Sequence, residues 1–258
     1  MLAIKLNKAH KLFILIGAVL LISALAIITF MRGETCGDCY EVDKGEFRYL
    51  IYNDLPKSIV SNIHEALKDK KAELLNEFNL STMETVTVRI WGDQEAYLSE
   101  QERALGKRYP GSGGYVTLKN GSKPGELRLF GGDKNISNTA LHEFVHLVTL
   151  ELNPSFANNP RWLWESIAIY KSEQHWKYAK KPGLTRNRFE YMSQSLMMGD
   201  TGSIYEIGYT IGEFIENSWG NEAFSLLIKS NGDFISVTKK PIDQIFLEWK
   251  EFVIKKYY

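Results

Sequence analysis

Cysteine is nearly absent. Cys36 and Cys39 are the only two among 258 residues, which excludes a disulfide-built scaffold and any four-thiolate metal site. An excess of charge is missing too: 31 Lys and Arg stand against 31 Asp and Glu. The balance hides an asymmetry. Residues 1–32 hold Lys5, Lys8, Lys11 and Arg32 and no acid, so 31 less these four leaves 27 basic against 31 acidic side chains in the remainder. A mildly acidic body argues against nucleic acid as a partner. Internal repeats and low-complexity tracts are also lacking. The 44% hydrophobic and 12% aromatic shares fit a globular chain and exclude a disordered one. The residues beyond 32 suffice for one large core or two small packed lobes.

Long hydrophobic runs are confined to one place. Leu12 to Met31 carries no charge, and a helix of that length spans about 30 Å, one bilayer core. Lysines precede it, while Glu34, Asp38, Glu41 and Asp43 follow. This pattern places the N-terminus in the cytoplasm and the body outside. A cleaved signal peptide is the rival reading, with Ala24-Leu25-Ala26 as the cleavage site, but the apolar run continues through Ile27, Ile28 and Phe30. The expected organisation is a cytoplasmic stretch 1–11, a transmembrane anchor 12–31, a linker 32–45 and one domain over 46–258. Location would then be the cell membrane, single-pass. Cys36-Gly37-Asp38-Cys39 falls in the linker, as a local staple or two free thiols.

Alternation at Phe47, Tyr49 and Ile51 predicts a strand. From Pro56 to about Asn79, Ile59, Ile63, Ala66 and Leu67 have helical spacing, with His64 on the charged surface face. The β-branched run Thr85–Trp91 reads as a strand, and Asp93 as the cap of a helix to about Leu105. Tyr115–Leu118 and Glu126–Phe130 read as a hairpin turning at Asn120-Gly121. Such a hairpin can line a cleft or serve structure alone.

The most informative stretch is Ala140-Leu141-His142-Glu143-Phe144-Val145-His146-Leu147-Val148. Ser137 or Asn138 is the expected cap of this helix, and Asn153-Pro154 its end. Four residues apart on a helix, His142 and His146 project from one face and can grip one Zn²⁺. Glu143 is left beside the metal to take the proton of a bound water. The competing reading is two half-exposed histidines on an amphipathic helix. Further on, Pro160 restarts a helix, and Glu165 sits among Trp162, Leu163, Trp164, Ile167 and Ala168. An acid in such apolar company is usually paired or coordinated.

Between His146 and Glu165 lie residues 147–164. His-Glu-x-x-His, this spacing and then Glu resemble the gluzincin zinc peptidases, most closely the membrane alanyl aminopeptidase group and the related peptidase MA-like domains. Trp162-Leu163-Trp164-Glu165-Ser166-Ile167-Ala168-Ile169-Tyr170 is similar to their Trp-Leu-x-Glu-Gly-x-Ala-x-Tyr, with Ser166 for Gly. Tyr205-Glu206-Ile207-Gly208 resembles their Tyr-Glu-x-Gly. The resemblance implies an α+β zincin-like fold: a small mixed sheet edged by a hairpin and a mainly helical C-terminal lobe, preceded here by one transmembrane helix.

It also implies metal ligands His142, His146 and Glu165, a Zn²⁺ cofactor, Glu143 as the proton-handling base and a peptide or protein substrate. Tyr205 would stabilise the oxyanion, with Tyr209 as the second candidate. Two departures stand out. The glutamate that holds a substrate's free amino group in the aminopeptidases has no counterpart near Gly113-Gly114-Tyr115-Val116, and Ile169 stands where thermolysin-like enzymes place an Asp behind a histidine ligand. The alternative function is a catalytically weak binding module on a peptidase scaffold. His175 is left over, as a surface or cleft residue.

Overall fold

The structure is a computed structural model and describes residues 39–119, 123–173 and 185–258. Strand β1 (Cys39–Asp43) runs antiparallel to β2 (Phe47–Tyr52). The stretch expected as linker thus contributes a strand, and Cys39 in it is disulfide-bonded. Helix α1 (Lys57–Glu77) follows Pro56 and buries Val60, Ile63, Leu67 and Leu74. Strand β3 (Val86–Trp91) then pairs parallel with β2. Helix α2 (Gln94–Leu105) starts where Asp93 accepts a hydrogen bond from the Ala96 amide at 2.8 Å, as a capping carboxylate should. Strands β4 (Gly114–Lys119) and β5 (Lys123–Phe130) pair antiparallel, and β5 lies parallel to β3. The sheet order is β1-β2-β3-β5-β4, which leaves β4 at an edge.

Period-two alternation divides the sheet into two faces. Phe47, Tyr49 and Ile51 of β2, Val86, Val88 and Ile90 of β3 and Leu127 and Leu129 of β5 form one face, in the main core. Trp91, Tyr97, Leu98 and Tyr115 make a smaller aromatic cluster against α2 on the other. On that second face Arg89 pairs with Glu126 at 2.6 Å.

Helix α3 (Ile136–Leu152) lies on the first face, packed against β5 and α1. It starts before the expected cap. Asn135 is the N-cap and makes no side-chain cap bond; instead Asp133 accepts from the Asn135 amide at 2.9 Å, and its carbonyl accepts from Ile136 at 3.1 Å. An aspartate turn thus satisfies the Asn135 and Ile136 amides at the point where the chain enters the helix.

Helix α4 (Arg161–Lys171) follows Pro160 and packs between α3 and a later helix, α6. Helix α5 (Arg186–Met197) and α6 (Ile204–Trp219) come next, then α7 (Glu222–Lys229), the short α8 (Phe234–Thr238) and α9 (Ile242–Tyr257). The contact of α4 with α6 is close because α6 presents glycine. A Cβ built on Gly212 would lie 2.3 Å from the Tyr170 Cβ, and one on Gly208 3.1 Å from Ile169. The glycine of the Tyr-Glu-x-Gly segment is therefore a packing residue.

One expectation is corrected. No helix among the described residues is long and apolar enough to cross a membrane. The longest, α1, carries charge along one face, including Glu65, Lys68 and Asp69. The run 12–31, on which a transmembrane helix was expected, lies outside the described residues. The fold of the described residues is accordingly α+β with a five-stranded mixed sheet and surrounding helices, and none of those helices is the expected membrane span. The single-pass cell-membrane location, with its extracytoplasmic body, is therefore not supported by any described helix.

Candidate metal centre

Helix α3 turns Phe144, Val145, Leu147 and Val148 into the core, all essentially inaccessible. His142 and His146 share the remaining face with their rings 4.7 Å apart and nearly perpendicular. Helix α4 brings Glu165 to them from the other side. Its Oε2 lies 3.2 Å from His142 Nε2 and 3.5 Å from His146 Nε2. One potential ligand atom from each residue falls within 4.8 Å of the others, and all three side chains are buried. The alternative of two half-exposed histidines is thereby excluded. Two residues 19 and 23 positions before Glu165 meet it because Asn153-Pro154 ends α3 and Pro160 starts α4, folding one helix back on the other.

The electrostatics suit a cation. Burial drives the pKa of His146 down to about 4 against the opposing pull of Glu165, so the imidazole is neutral and has a lone pair to offer. Burial works to raise Glu165, but its hydrogen bonds with His142 and His146 outweigh it and hold the carboxylate well below its ordinary value. The cluster is thus a buried carboxylate flanked by two buried imidazoles. His146 Nδ1 is buried with no hydrogen-bond partner. A two-nitrogen, one-carboxylate donor set is one that Zn²⁺ takes readily. The residues present fit that ion.

Glu143 is half-buried beside this cluster. Burial pushes its pKa up to about 7, with the neighbouring His142 opposing and the Glu165 charge adding to the rise. Its position is set by the edge strand: a Cβ on Gly114 would lie 2.9 Å from Glu143 Cγ and 2.9 Å from Thr139 Cγ2. Only glycine at 114 lets the strand pass this closely.

Tyr205, at the start of α6, also reaches the cluster. Burial and the Glu165 charge push its phenol up to about 12, and its hydroxyl accepts a hydrogen bond from Arg161 Nη2 at 3.3 Å. Tyr209 sits elsewhere, its ring packed on Tyr170 at 5.1 Å in the α4–α6 seam. His175 lies outside the described residues. His64, expected on the surface, is half-buried, and its Nδ1 is 3.2 Å from Tyr49 Oη.

Two features escaped the sequence reading. Arg161 stands one helical turn before Glu165, with Nε 4.0 Å from Oε1; the i,i+4 spacing was there to be read. Trp164 stacks on His146 at 3.7 Å and donates to Thr149 Oγ1 at 3.1 Å. No spacing rule links residues 146, 149 and 164 across two helices. No family model matches the chain, and no curated protein matches it.

Proposed function

We propose that the chain is a zinc-dependent peptidase. The observation that carries the reading is the buried convergence of His142, His146 and Glu165 with Glu143 alongside. Zinc held by these three residues would activate a water for attack on a carbonyl carbon and polarise that carbonyl. Glu143 would take the proton released as the water attacks. A carboxyl whose pKa stands near 7 is suited to accept that proton and then to deliver it to the leaving amine nitrogen. Tyr205 would donate its O–H to the oxygen that gains negative charge, and Arg161, bonded to Tyr205, would add positive potential there. Strand β4 lies at the sheet edge beside Glu143, and an extended peptide pairing with that edge would present its backbone to the cleft.

Glu143 favours this reading over a metal-dependent binding module, since a module needs no base beside the ion. The test is cleavage of casein or quenched peptides by the full chain. Activity abolished by a chelator and restored by zinc is expected. A fully zinc-loaded protein that cleaves none of a broad peptide panel would instead support the binding module.

A further inference from the structure

A histidine that binds a metal through Nε2 must have its ring held in one plane, and the usual device is a hydrogen bond from Nδ1 to a carboxylate or carbonyl. His146 has no such bond, its Nδ1 being buried and without a partner. It has Trp164 instead. The two rings stack with centroids 3.7 Å apart and planes 29° from parallel. The indole is anchored in turn: Nε1 donates to Thr149 Oγ1 at 3.1 Å, and that hydroxyl donates to the His146 carbonyl oxygen at 2.8 Å. The chain of contacts leaves the His146 backbone, passes through Thr149 and Trp164, and returns to the His146 ring. All three residues are buried. Trp164 also directly precedes Glu165, so α4 supplies both an oxygen ligand and the plate that supports a nitrogen ligand.

We propose that Trp164, anchored by Thr149, is a positioning residue that fixes the His146 imidazole for metal binding in place of an Nδ1 hydrogen bond. The inference rests on the metal-centre reading above. A stacked plate resists rotation of the imidazole out of its plane. The face of an indole is electron-rich, and an imidazole whose Nε2 is bound to a cation is electron-poor. The stack is therefore stronger in the metal-loaded chain than in the metal-free one. Its loss should appear in metal affinity, beyond any loss of folding stability.

The experiment is zinc titration of the metal-stripped full chain against a chromophoric chelator, with metal-free melting curves alongside. Trp164→Leu should weaken zinc binding about 10- to 100-fold, the range found when ligand-supporting groups are removed. Trp164→Phe keeps an aromatic plate and should recover most of that loss. Thr149→Val fills the same space without the hydroxyl and should weaken binding by roughly threefold to tenfold, below the full effect of losing the support. A residue that only fills the core would lower the melting temperature of the metal-free variants and leave zinc affinity unchanged.

Zinc affinity within twofold of wild type in Trp164→Leu, or in Thr149→Val if the leucine variant does not fold, overturns the proposal. So does a phenylalanine variant as weak as leucine. A folded wild type that takes up no zinc overturns the metal centre itself, and the support with it; the titration of wild type separates this outcome from the others.

Discussion

Helix α4 carries two buried polar clusters, one around Glu165 and one around Lys171, and they are composed in opposite ways. Around Lys171 the groups complement one another. Its ammonium lies 3.1 Å from Glu77 and 3.2 Å from Glu216, Asn221 accepts from it at 2.5 Å, and Tyr170 donates to Glu216. Phe224 covers the ammonium at 4.6 Å. One cation meets two anions, and the network ties α1, α4, α6 and the start of α7 together. Around Glu165 the atoms that could ligate a metal converge. One carboxylate and two ring nitrogens face a common point, and His146 Nδ1 has no partner. The complementary cluster is complete as folded; the convergent one has the make-up of a ligand set, which is what the proposed zinc centre requires. The difference lies in the kinds of group assembled, since each cluster centres on a buried charged side chain.

Several substitutions sharpen that contrast. The largest effect should come from Glu143→Gln, which removes the base and leaves the convergent ligands intact. Turnover should fall about 10²- to 10⁴-fold, with zinc content unchanged by elemental analysis. Residual activity near wild type in a zinc-replete preparation would remove Glu143 from the reaction. Next is Tyr205→Phe, which deletes one donor to the developing oxyanion. The expected loss is about 10²-fold in kcat with little change in KM, read from steady-state kinetics on a quenched peptide.

Lys171→Met tests the other cluster. Breaking a buried ion network from one side costs about 2 to 4 kcal/mol, reduced here because Glu216 is partly exposed. Urea unfolding should show that loss, while zinc affinity stays at the wild-type value. Glu165→Gln should do the reverse, abolishing zinc binding at a smaller cost to the metal-free fold. If both variants change both properties alike, the two clusters are not distinct in kind.

Gly114→Ala probes the edge strand. Its Cβ would press on Glu143 and Thr139, so activity should fall roughly tenfold through displacement of the base, again with zinc retained.

The smallest effect concerns a histidine in neither cluster. His64 is held below the ordinary histidine value of 6.5, first by burial and then by the Lys44 charge. Below pH 6.5 the unfolded chain therefore binds more protons than the folded one, and stability should decline slightly as pH falls through that window. His64→Gln should flatten the decline in melting temperature without touching zinc affinity; an unaltered pH profile would assign the decline to other groups.

The convergent cluster was far more legible in the sequence than the complementary one. His142, Glu143 and His146 announce themselves because helical spacing alone puts both histidines on one face. Glu165 stands out as a lone acid in an apolar helix. Lys171 gives no such sign: its partners Glu77, Glu216 and Asn221 come from distant segments, and only the packing of four helices assembles them. Thr149 and Trp164 were silent for the same reason. In the fold, β2, β3, α1 and α2 follow from alternation, helical periodicity and the Asp93 cap, all local signals. Strand β1 was missed because its exposed Tyr40 and Glu41 show no buried alternation. The short helix α8, of five residues, depends on tertiary packing more than on its own pattern. The start of α3 was misplaced because its N-cap, Asn135, makes no side-chain cap bond and an Asp133 turn leads into the helix before Ser137.

The most direct test of the central claim is elemental analysis of the purified full chain after zinc addition and exhaustive dialysis, with His146→Ala beside it. The account predicts about one zinc per wild-type chain, as a three-residue centre requires, and none in the variant. A folded wild type without zinc would contradict it, for the Glu165 cluster would then be held by its own His142 and His146 hydrogen bonds alone.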